Sequence, residues 1–378
     1  MEVLDSLVIG AGQAGLSASY HLRRRGLTHV VLDADAAPGG AWQHRWDSLT
    51  MHDVHGIAEL PDADPPTDRA GRANVAVPAY FAAYEREHGL PVLRPVRVDA
   101  VTAGEDGLLV TRAGERTWTS RTLVNATGTW SQPFVPRYPG MDTFLGEQLH
   151  THDYPGPEHF RGRRVVVVGG GASAVQFLGE LAPVTDTLWV TRREPVWRTD
   201  DFTPEAGRAA VALVEDRVRR GLPPASVVSV TGLALRPQER EAERRGAYRR
   251  HPMFVAVEPD GVRMADGSFE RADAILWATG FRPAVTHLAP LRLRSAAGGI
   301  ALDGTTAVAD RRVQLVGYGP SASTIGANRA GRAAARGVAR WLSEDAPDPP
   351  GGQTAATSRS SPSRSGRSAG STSSPVRT

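Results

Sequence analysis

Apolar and polar positions fall into a rhythm that the chain uses twice. Leu4, Leu7, Val8 and Ile9 form an apolar run leading into Gly10-Ala11-Gly12-Gln13-Ala14-Gly15. A small-residue stretch from Leu16 to Arg25 follows, and Gly26 closes it before a second run, Val30-Val31-Leu32-Asp33. Strand, glycine turn, helix, strand is the order of a βαβ unit. The rhythm returns at Val165 to Val168, a continuous apolar strand of the kind found in a parallel sheet covered on both faces. Gly169-Gly170-Gly171-Ala172-Ser173-Ala174 then opens a helix through Leu181, and Thr187-Leu188-Trp189-Val190 is the next strand.

Between the two units, Pro78 to Glu87 reads as a short helix with Tyr80, Phe81 and Tyr84 on a core face. Alternation at Val96-Arg97-Val98 with Val101, at Leu108-Leu109-Val110 and at Thr117-Trp118-Thr119 predicts a small antiparallel meander. A further strand, Thr122 to Asn125, ends in Ala126-Thr127-Gly128, and Asp273 to Trp277 ends in the same way at Ala278-Thr279-Gly280. Each glycine-turn unit is thus followed by one such strand, which implies a duplicated architecture. Thr203-Pro204-Glu205 reads as a helix start, with Ala210, Leu213, Val214 and Val218 on one face. Gln238 to Arg250 reads as an exposed helix, and Val313 to Val316 as a strand that feeds, through Gly317-Tyr318, a helix from Ser323 to Leu342. From Glu344 onward the Pro/Gly/Ser/Thr/Arg composition cannot bury enough surface to order itself. The expected class is α/β: two Rossmann-like dinucleotide-binding domains, each a parallel sheet with helices and a small antiparallel meander.

Composition removes several functions. Lys and Arg total 44 against 41 Asp and Glu, a formal net charge of +3, which provides no polyanion-binding field and no nucleic-acid partner. No apolar run approaches a membrane span, and the acidic start enters a strand at once, so a cytoplasmic protein is expected. The chain has 0 Cys, which excludes thiol, disulfide and Cys-ligated metal chemistry, and no metal is expected.

The chemistry lies in the turns. In Gly10-x-Gly12-x-x-Gly15 the first glycine permits the tight turn, the second lets backbone approach a pyrophosphate and the third lets helix pack on strand. Asp33 lies where a carboxylate accepts bonds from ribose hydroxyls. Ala174 replaces the third glycine of the second turn, and there the strand ends in Arg192-Arg193, which suit a 2′-phosphate. This assigns FAD to the first unit and NADPH to the second. A solvated charge pair is the alternative for the two arginines. Ala37-Pro38-Gly39-Gly40-Ala41-Trp42 opens a long stretch, Gln43 to about Arg72, that carries Arg45, Trp46, His52, Asp53 and His55. So long a loop inside a globular domain is usually functional, and its aromatic content argues against disorder. A surface excursion with incidental histidines is the other reading.

With both turns in place, the sequence resembles the flavin-containing monooxygenase-like flavoproteins with two dinucleotide-binding domains, over about residues 1 to 342. The resemblance rests on the two glycine turns, on Gly39-Gly40-x-Trp42, which in this family lies near the flavin, and on Phe144 to Pro155. That last segment matches the fingerprint Phe-x-Gly-x-x-x-His-x-x-x-Tyr/Trp followed by Lys, Pro or Asp. The resemblance implies a linker there, with His150 orienting it. Tyr154 stands where Baeyer–Villiger enzymes of the group usually have tryptophan, which favours the N- or S-oxygenating and hydroxylating branch. Disulfide reductases of the same layout need a redox-active cysteine pair that this chain lacks.

The implied domains are an FAD-binding domain from residues 1–155 and 284–342, an NADPH-binding domain at 156–283, and a disordered tail at 343–378. Expected cofactor contacts are Gly10, Gly12, Gln13, Ala14, Gly15, Asp33, Gly40, Trp42, Val98, Thr127, Gly128, Gly169, Gly171, Ala172, Ser173, Ala174, Arg192, Arg193, Thr279, Gly280, Tyr318 and Thr324. The implied function is an FAD-dependent monooxygenase that uses NADPH and O2 to oxygenate a small molecule at N, S or C through a flavin peroxide. Arg45, His52 and Asp53 are the candidates for tuning that adduct. Two other readings use the same sites: an NADPH-dependent reductase or oxidase passing electrons to oxygen, a quinone or a protein partner, and a non-catalytic flavin-binding regulatory module. Assembly into an oligomer is left open.

Overall fold

The computed structural model describes residues 2–54, 57–198, 204–224, 232–322 and 324–344. The chain runs β1 (Val3–Ile9), α1 (Gln13–Arg23), β2 (His29–Leu32), α2 (Ala73–Glu87), β3 (Val92–Leu93), β4 (Ala100–Ala103), β5 (Leu109–Ala113) and β6 (Arg116–Asn125). It continues as β7 (Glu147–His150), β8 (Arg164–Val168), α3 (Ala172–Leu181), β9 (Asp186–Thr191), β10 (Trp197–Arg198), α4 (Pro204–Arg219), β11 (Leu233–Ala234) and a helix at Pro237–Arg244. Then come β12 (Arg250–Pro252), β13 (Phe254–Glu258), β14 (Gly261–Met264), β15 (Phe269–Arg271), β16 (Ala274–Trp277), β17 (Leu302–Asp303), β18 (Thr306–Ala307), β19 (Val313–Leu315) and the last helix, Thr324–Glu344.

Two parallel sheets carry these elements. The first runs β3-β2-β1-β6-β19, continued by β18 and β17, with β5 antiparallel on β6 and β4 antiparallel on β5. The second runs β12-β9-β8-β16-β7, parallel throughout. Strands β13, β14 and β15 form a separate antiparallel sheet. The apolar runs read from the sequence are the buried centres of these sheets: Leu7, Val8 and Val165 to Val167 are fully inaccessible. Helix α1 is buried on almost every side because the last helix packs over it. Its small residues make this possible: a Cβ on Gly331 would lie 2.4 Å from Ser17 Oγ and 2.7 Å from Ala18 N. Among the described residues no helix is long and apolar enough to cross a membrane.

Several element boundaries differ from expectation. The helix expected from Pro78 begins at Ala73, and Pro78 sits inside it; a proline costs an interior hydrogen bond, yet this ring packs where a Cβ of Gly39 would be, 2.8 Å from its Cγ. The two short strands expected between Thr117 and Asn125 are one, β6, whose first part pairs antiparallel with β5 while Thr119 onward runs parallel to β1. Val96 to Val98 belong to no strand, although Val96 N–H donates to Asp33 O at 2.7 Å, and the meander begins only at Ala100. The expected helix Gln238 to Arg250 stops at Arg244, and Arg250 opens a strand. On α4, Val214 and Val218 are buried but Leu213 is exposed, so it lies off the apolar face. The last helix extends through Glu344; His55, Thr203 and the tail from Asp345 lie outside the described residues.

Candidate active site

The two glycine turns are built on one plan. Gly10 has φ +97°, and a Cβ there would lie 2.7 Å from the carbonyl oxygen of Ala126. Gly169 has φ +140°, and its Cβ would lie 2.2 Å from the carbonyl oxygen of Ala278. Each first glycine is therefore pressed against the alanine of an Ala-Thr-Gly turn. A Cβ on Gly15 would lie 1.9 Å from Gly10 O, so this glycine permits helix to meet strand. Gly12 and Gly171 differ: a Cβ on either meets nothing within 4 Å. Both are the N-caps of their helices, neither helix has a side-chain cap, and neither has an acid in its first turn. Unfilled space beside uncapped first-turn N–H groups fits a phosphate oxygen at each turn.

The residues around the turns complete the fit. Asp33 is buried at the end of β2, where its Oδ2 accepts from Ala11 N–H and its Oδ1 from Asp35 N–H at 2.9 Å. Burial pushes its carboxyl up, and the two N–H bonds oppose that. One oxygen thus anchors the turn itself. In the second unit the Trp189 indole donates to Gly169 O at 2.7 Å. Arg192 and Arg193 lie exposed beyond β9. Arg250, brought alongside by β12, donates from Nε to Thr191 Oγ1 at 2.9 Å.

The Ala-Thr-Gly turns clasp each other. Thr127 Oγ1 donates to Ala284 O at 2.6 Å, in the chain after the second turn, and Thr279 Oγ1 donates to Phe134 O, in the chain after the first. Backbone bonds repeat the exchange: Ala284 N to Gly128 O at 2.9 Å and Phe134 N to Gly280 O at 3.0 Å. Thr127 and Thr279, both expected among the cofactor contacts, thus donate their hydroxyls to backbone. Thr127→Val and Thr279→Val should each lower unfolding free energy by about 1–2 kcal/mol, since each strands a carbonyl. Urea unfolding of the apoprotein measures this, and unchanged midpoints would contradict the clasp.

A cleft of about 800 Å³ opens against the first turn. It is lined by Gly10, Gly12, Gln13, Ala14, Asp33, Gly40, Trp42, Arg45, Val98, Thr127 and Gly128, all expected at a site, and also by Trp130, His152, Phe281 and His287, which were not. Gly15 is not on its wall. Gly169, Gly171, Ala172, Ser173, Ala174, Arg192, Arg193, Thr279 and Gly280 belong to the second unit and are not on its wall. Tyr318 is turned away: it is buried and its hydroxyl accepts from Ile300 N–H at 2.9 Å, while Gly317 takes the place on the wall. The Thr324 side chain lies outside the described residues.

The three adduct-tuning candidates separate. Arg45 lines the cleft; His52 and Asp53 do not. Their turn faces α3 and the segment before Pro237, because Gln176 Nε2 donates to Asp53 O at 3.1 Å and Arg236 Nη1 does so at 3.0 Å. The Asp53 carboxylate accepts from Thr50, and the exposed His52 lies 3.5 Å from it. Loop periodicity could not reveal this, because the contacts come from residues more than a hundred positions away.

The fingerprint segment is a structural hub. His150 Nε2 donates to Gly280 O at 2.9 Å while its Nδ1 accepts from His152 N–H at 3.1 Å, which fixes a neutral, orienting imidazole. Burial lowers its pKa. The Tyr154 hydroxyl donates to Glu180 Oε2 at 3.2 Å, and Glu180 also accepts from Trp46 Nε1 at 3.0 Å and Ser48 Oγ at 2.7 Å. Burial pushes the Glu180 carboxyl up, and the bonds from Ser48, Trp46 and Tyr154 oppose that.

His287 donates from Nε2 to Asn125 Oδ1 at 2.7 Å, and burial lowers its pKa from 6.5 to about 4. A histidine held neutral in the folded state stabilises fully above its unfolded pKa, and that contribution falls as pH drops from 6.5 toward 4. The apoprotein should therefore lose about 2 kcal/mol at pH 5 through this group. His287→Gln should flatten that limb in urea unfolding across pH; an unchanged slope would contradict it.

Among the described residues no cluster of His, Asp or Glu could hold a metal ion. Residues 7–209 match the pyridine nucleotide-disulphide oxidoreductase family model, although the chain has 0 Cys and no disulphide chemistry of its own. In structure the chain is similar to a double mutant of the flavin monooxygenase from Stenotrophomonas maltophilia, at 38% identity over 90% of this chain and 100% of that one, with TM-score 0.79. In sequence it is 28% identical over 334 residues to indole-3-pyruvate monooxygenase YUCCA4 of Oryza sativa subsp. japonica, covering 76% of each. It is 33% identical over 230 residues to a Baeyer-Villiger monooxygenase of Streptomyces coelicolor, covering 57% of this chain and 42% of that one. With both nucleotide turns intact and these likenesses, the chain belongs to the pyridine nucleotide-disulphide oxidoreductase family and, within it, to the flavin monooxygenases.

Proposed function

We propose that this FAD-dependent monooxygenase works in the cytoplasm, takes its hydride from NADPH, and oxygenates a small molecule at nitrogen, sulfur or carbon inside the cleft beside the first glycine turn. The observation that carries the reading is the repeated pair of uncapped helix starts, at Gly12 and Gly171, each with open space where a Cβ would stand. The bound flavin supplies hydride acceptance and oxygen activation. The chain's own residues bind and position.

Gly10, Gly12, Gln13 and Ala14 receive the FAD pyrophosphate, and Asp33 holds the turn in shape while offering its Oδ1 side to the ribose. Gly169, Gly171, Ala172, Ser173 and Ala174 receive NADPH, and Arg192 and Arg193 grip its 2′-phosphate. Trp42, Trp130 and Phe281 exclude water from the cleft. The domains we assign are residues 1–155 and 284–342 for FAD and 156–283 for NADPH; β7 of the fingerprint segment departs from this division, since it pairs into the second sheet.

The test is the purified holoenzyme with NADPH and a panel of small thioethers and amines. The reading expects bound FAD and a product heavier by one oxygen atom. Oxidation of NADPH with every equivalent recovered as hydrogen peroxide, and no product, would favour a reductase or oxidase.

A further inference from the structure

Three half-buried arginines among the described residues pair with a carboxylate. Arg94 makes two bonds of 2.7 Å to Glu85, Arg236 pairs with Glu239, and Arg312 pairs with Asp310. Arg45 departs from the pattern. Its guanidinium lies over the rings of Trp130, at 4.2 Å, and Trp42, at 5.6 Å. Among the described residues it has no ion pair, and its buried Nε has no hydrogen-bond partner. Ring faces stabilise a cation but accept none of its in-plane N–H groups. A second donor beside it is orphaned too: Trp130 is buried, and its Nε1 has no partner. The Trp130 ring is fixed by stacking on Phe281 at 4.9 Å and against His152 at 5.2 Å. Arg45, Trp42, Trp130, Phe281 and His152 all line the one cleft.

The acids on the same wall are engaged elsewhere. Asp33 accepts from Ala11 and Asp35, Asp35 from Gln43 and His44, and Asp99 from Arg112 and Gly114. A buried cation without a counter-ion is costly, and an apolar residue of the same volume would be tolerated better unless an anion arrives. The phosphates of both cofactors have their own receptors at the glycine turns and at Arg192 and Arg193.

We propose that Arg45 and Trp130 form an oxyanion subsite that takes the carboxylate of the substrate, so that this enzyme oxygenates small carboxylic acids in preference to their neutral counterparts. The subsite rests on the monooxygenase reading for its purpose, but its occupancy is measured independently of turnover. The guanidinium offers two parallel donors to one carboxylate, and the indole N–H a third. The aromatic walls hold the body of the acid.

The experiment uses the FAD-loaded enzyme and two matched pairs. Calorimetric binding of para-tolylacetate and its primary amide, which carry no oxidisable heteroatom, reads the subsite without catalysis. Turnover of para-methylthio-phenylacetate and its amide reads it in catalysis. The acid should be preferred about tenfold or more in both, the range of hydrogen bonds to a charged group. Arg45→Met should erase the preference, Arg45→Lys should keep part of it, and Trp130→Phe should reduce it severalfold. Equal binding of acid and amide by the unaltered enzyme overturns the proposal, even if both thioethers are oxygenated. So does an Arg45→Met variant that weakens NADP⁺ while keeping the acid preference, since the anion would then be the cofactor's. Acid-selective binding without any oxygenated product would leave the subsite standing and remove the monooxygenase reading.

Discussion

Gly12→Val should give a folded chain without flavin, whereas Gly15→Val should give a chain that does not fold. The two glycines sit three residues apart in one motif, yet their surroundings differ. A side chain at position 12 meets no protein atom within 4 Å and projects into the space beside the helix start. It costs the fold little and fills the place of the pyrophosphate, whose bonds to first-turn N–H groups are lost. An affinity loss of about 100-fold or more, roughly 3 kcal/mol, is expected if two charge-assisted bonds go. A side chain at position 15 meets the Gly10 carbonyl oxygen at 1.9 Å, with backbone on both sides of the contact and no flexible group to move. Flavin absorbance per chain after gel filtration, together with the thermal midpoint of each apoprotein, measures both outcomes. A flavin-loaded Gly12→Val protein would contradict the placement of FAD.

Replacing Arg192 and Arg193 together with glutamine should weaken NADPH by about 1–2 kcal/mol and leave NADH nearly unchanged. Both side chains are exposed beyond β9, so the effect is screened and should shrink as salt is raised. Arg250, beside the same strand end, is engaged with Thr191, so its removal should disturb the strand end rather than the choice between the two cofactors. Steady-state kinetics with both nucleotides at two ionic strengths decides this. An equal loss for NADPH and NADH would contradict the 2′-phosphate assignment.

Much of the fold is legible in the chain because it rests on local rules. Continuous apolar runs at Val165 to Val168 and glycines at fixed offsets are signals that tertiary context sharpens but does not create. The first Ala-Thr-Gly turn could be seen to repeat, but its use could not. That Thr127 and Thr279 reach across to each other's following chain depends on two segments about 150 residues apart meeting, and no local pattern encodes that. The cleft shows the same limit. Arg45 is recognisable as a charge near the flavin motif, whereas Trp130, Phe281 and His287 join it only through the folded topology. His52 and Asp53 look like equals of Arg45 in sequence, and the turn after Thr50 carries them toward α3 instead. Tyr318 follows the strand it was expected to follow, but the positive φ of Gly317, +68°, turns the chain there, and the tyrosine ring enters the core.

As a flavin monooxygenase, this chain inserts oxygen into a substrate rather than merely reducing it. The direct measurement supplies isotopically heavy dioxygen to the holoenzyme with NADPH and para-methylthio-phenylacetate, and counts label in the sulfoxide against NADPH consumed. One heavy oxygen atom should appear in the product for each NADPH oxidised. Consumption of NADPH with unlabelled substrate recovered intact, and all the heavy oxygen found in hydrogen peroxide, would contradict it.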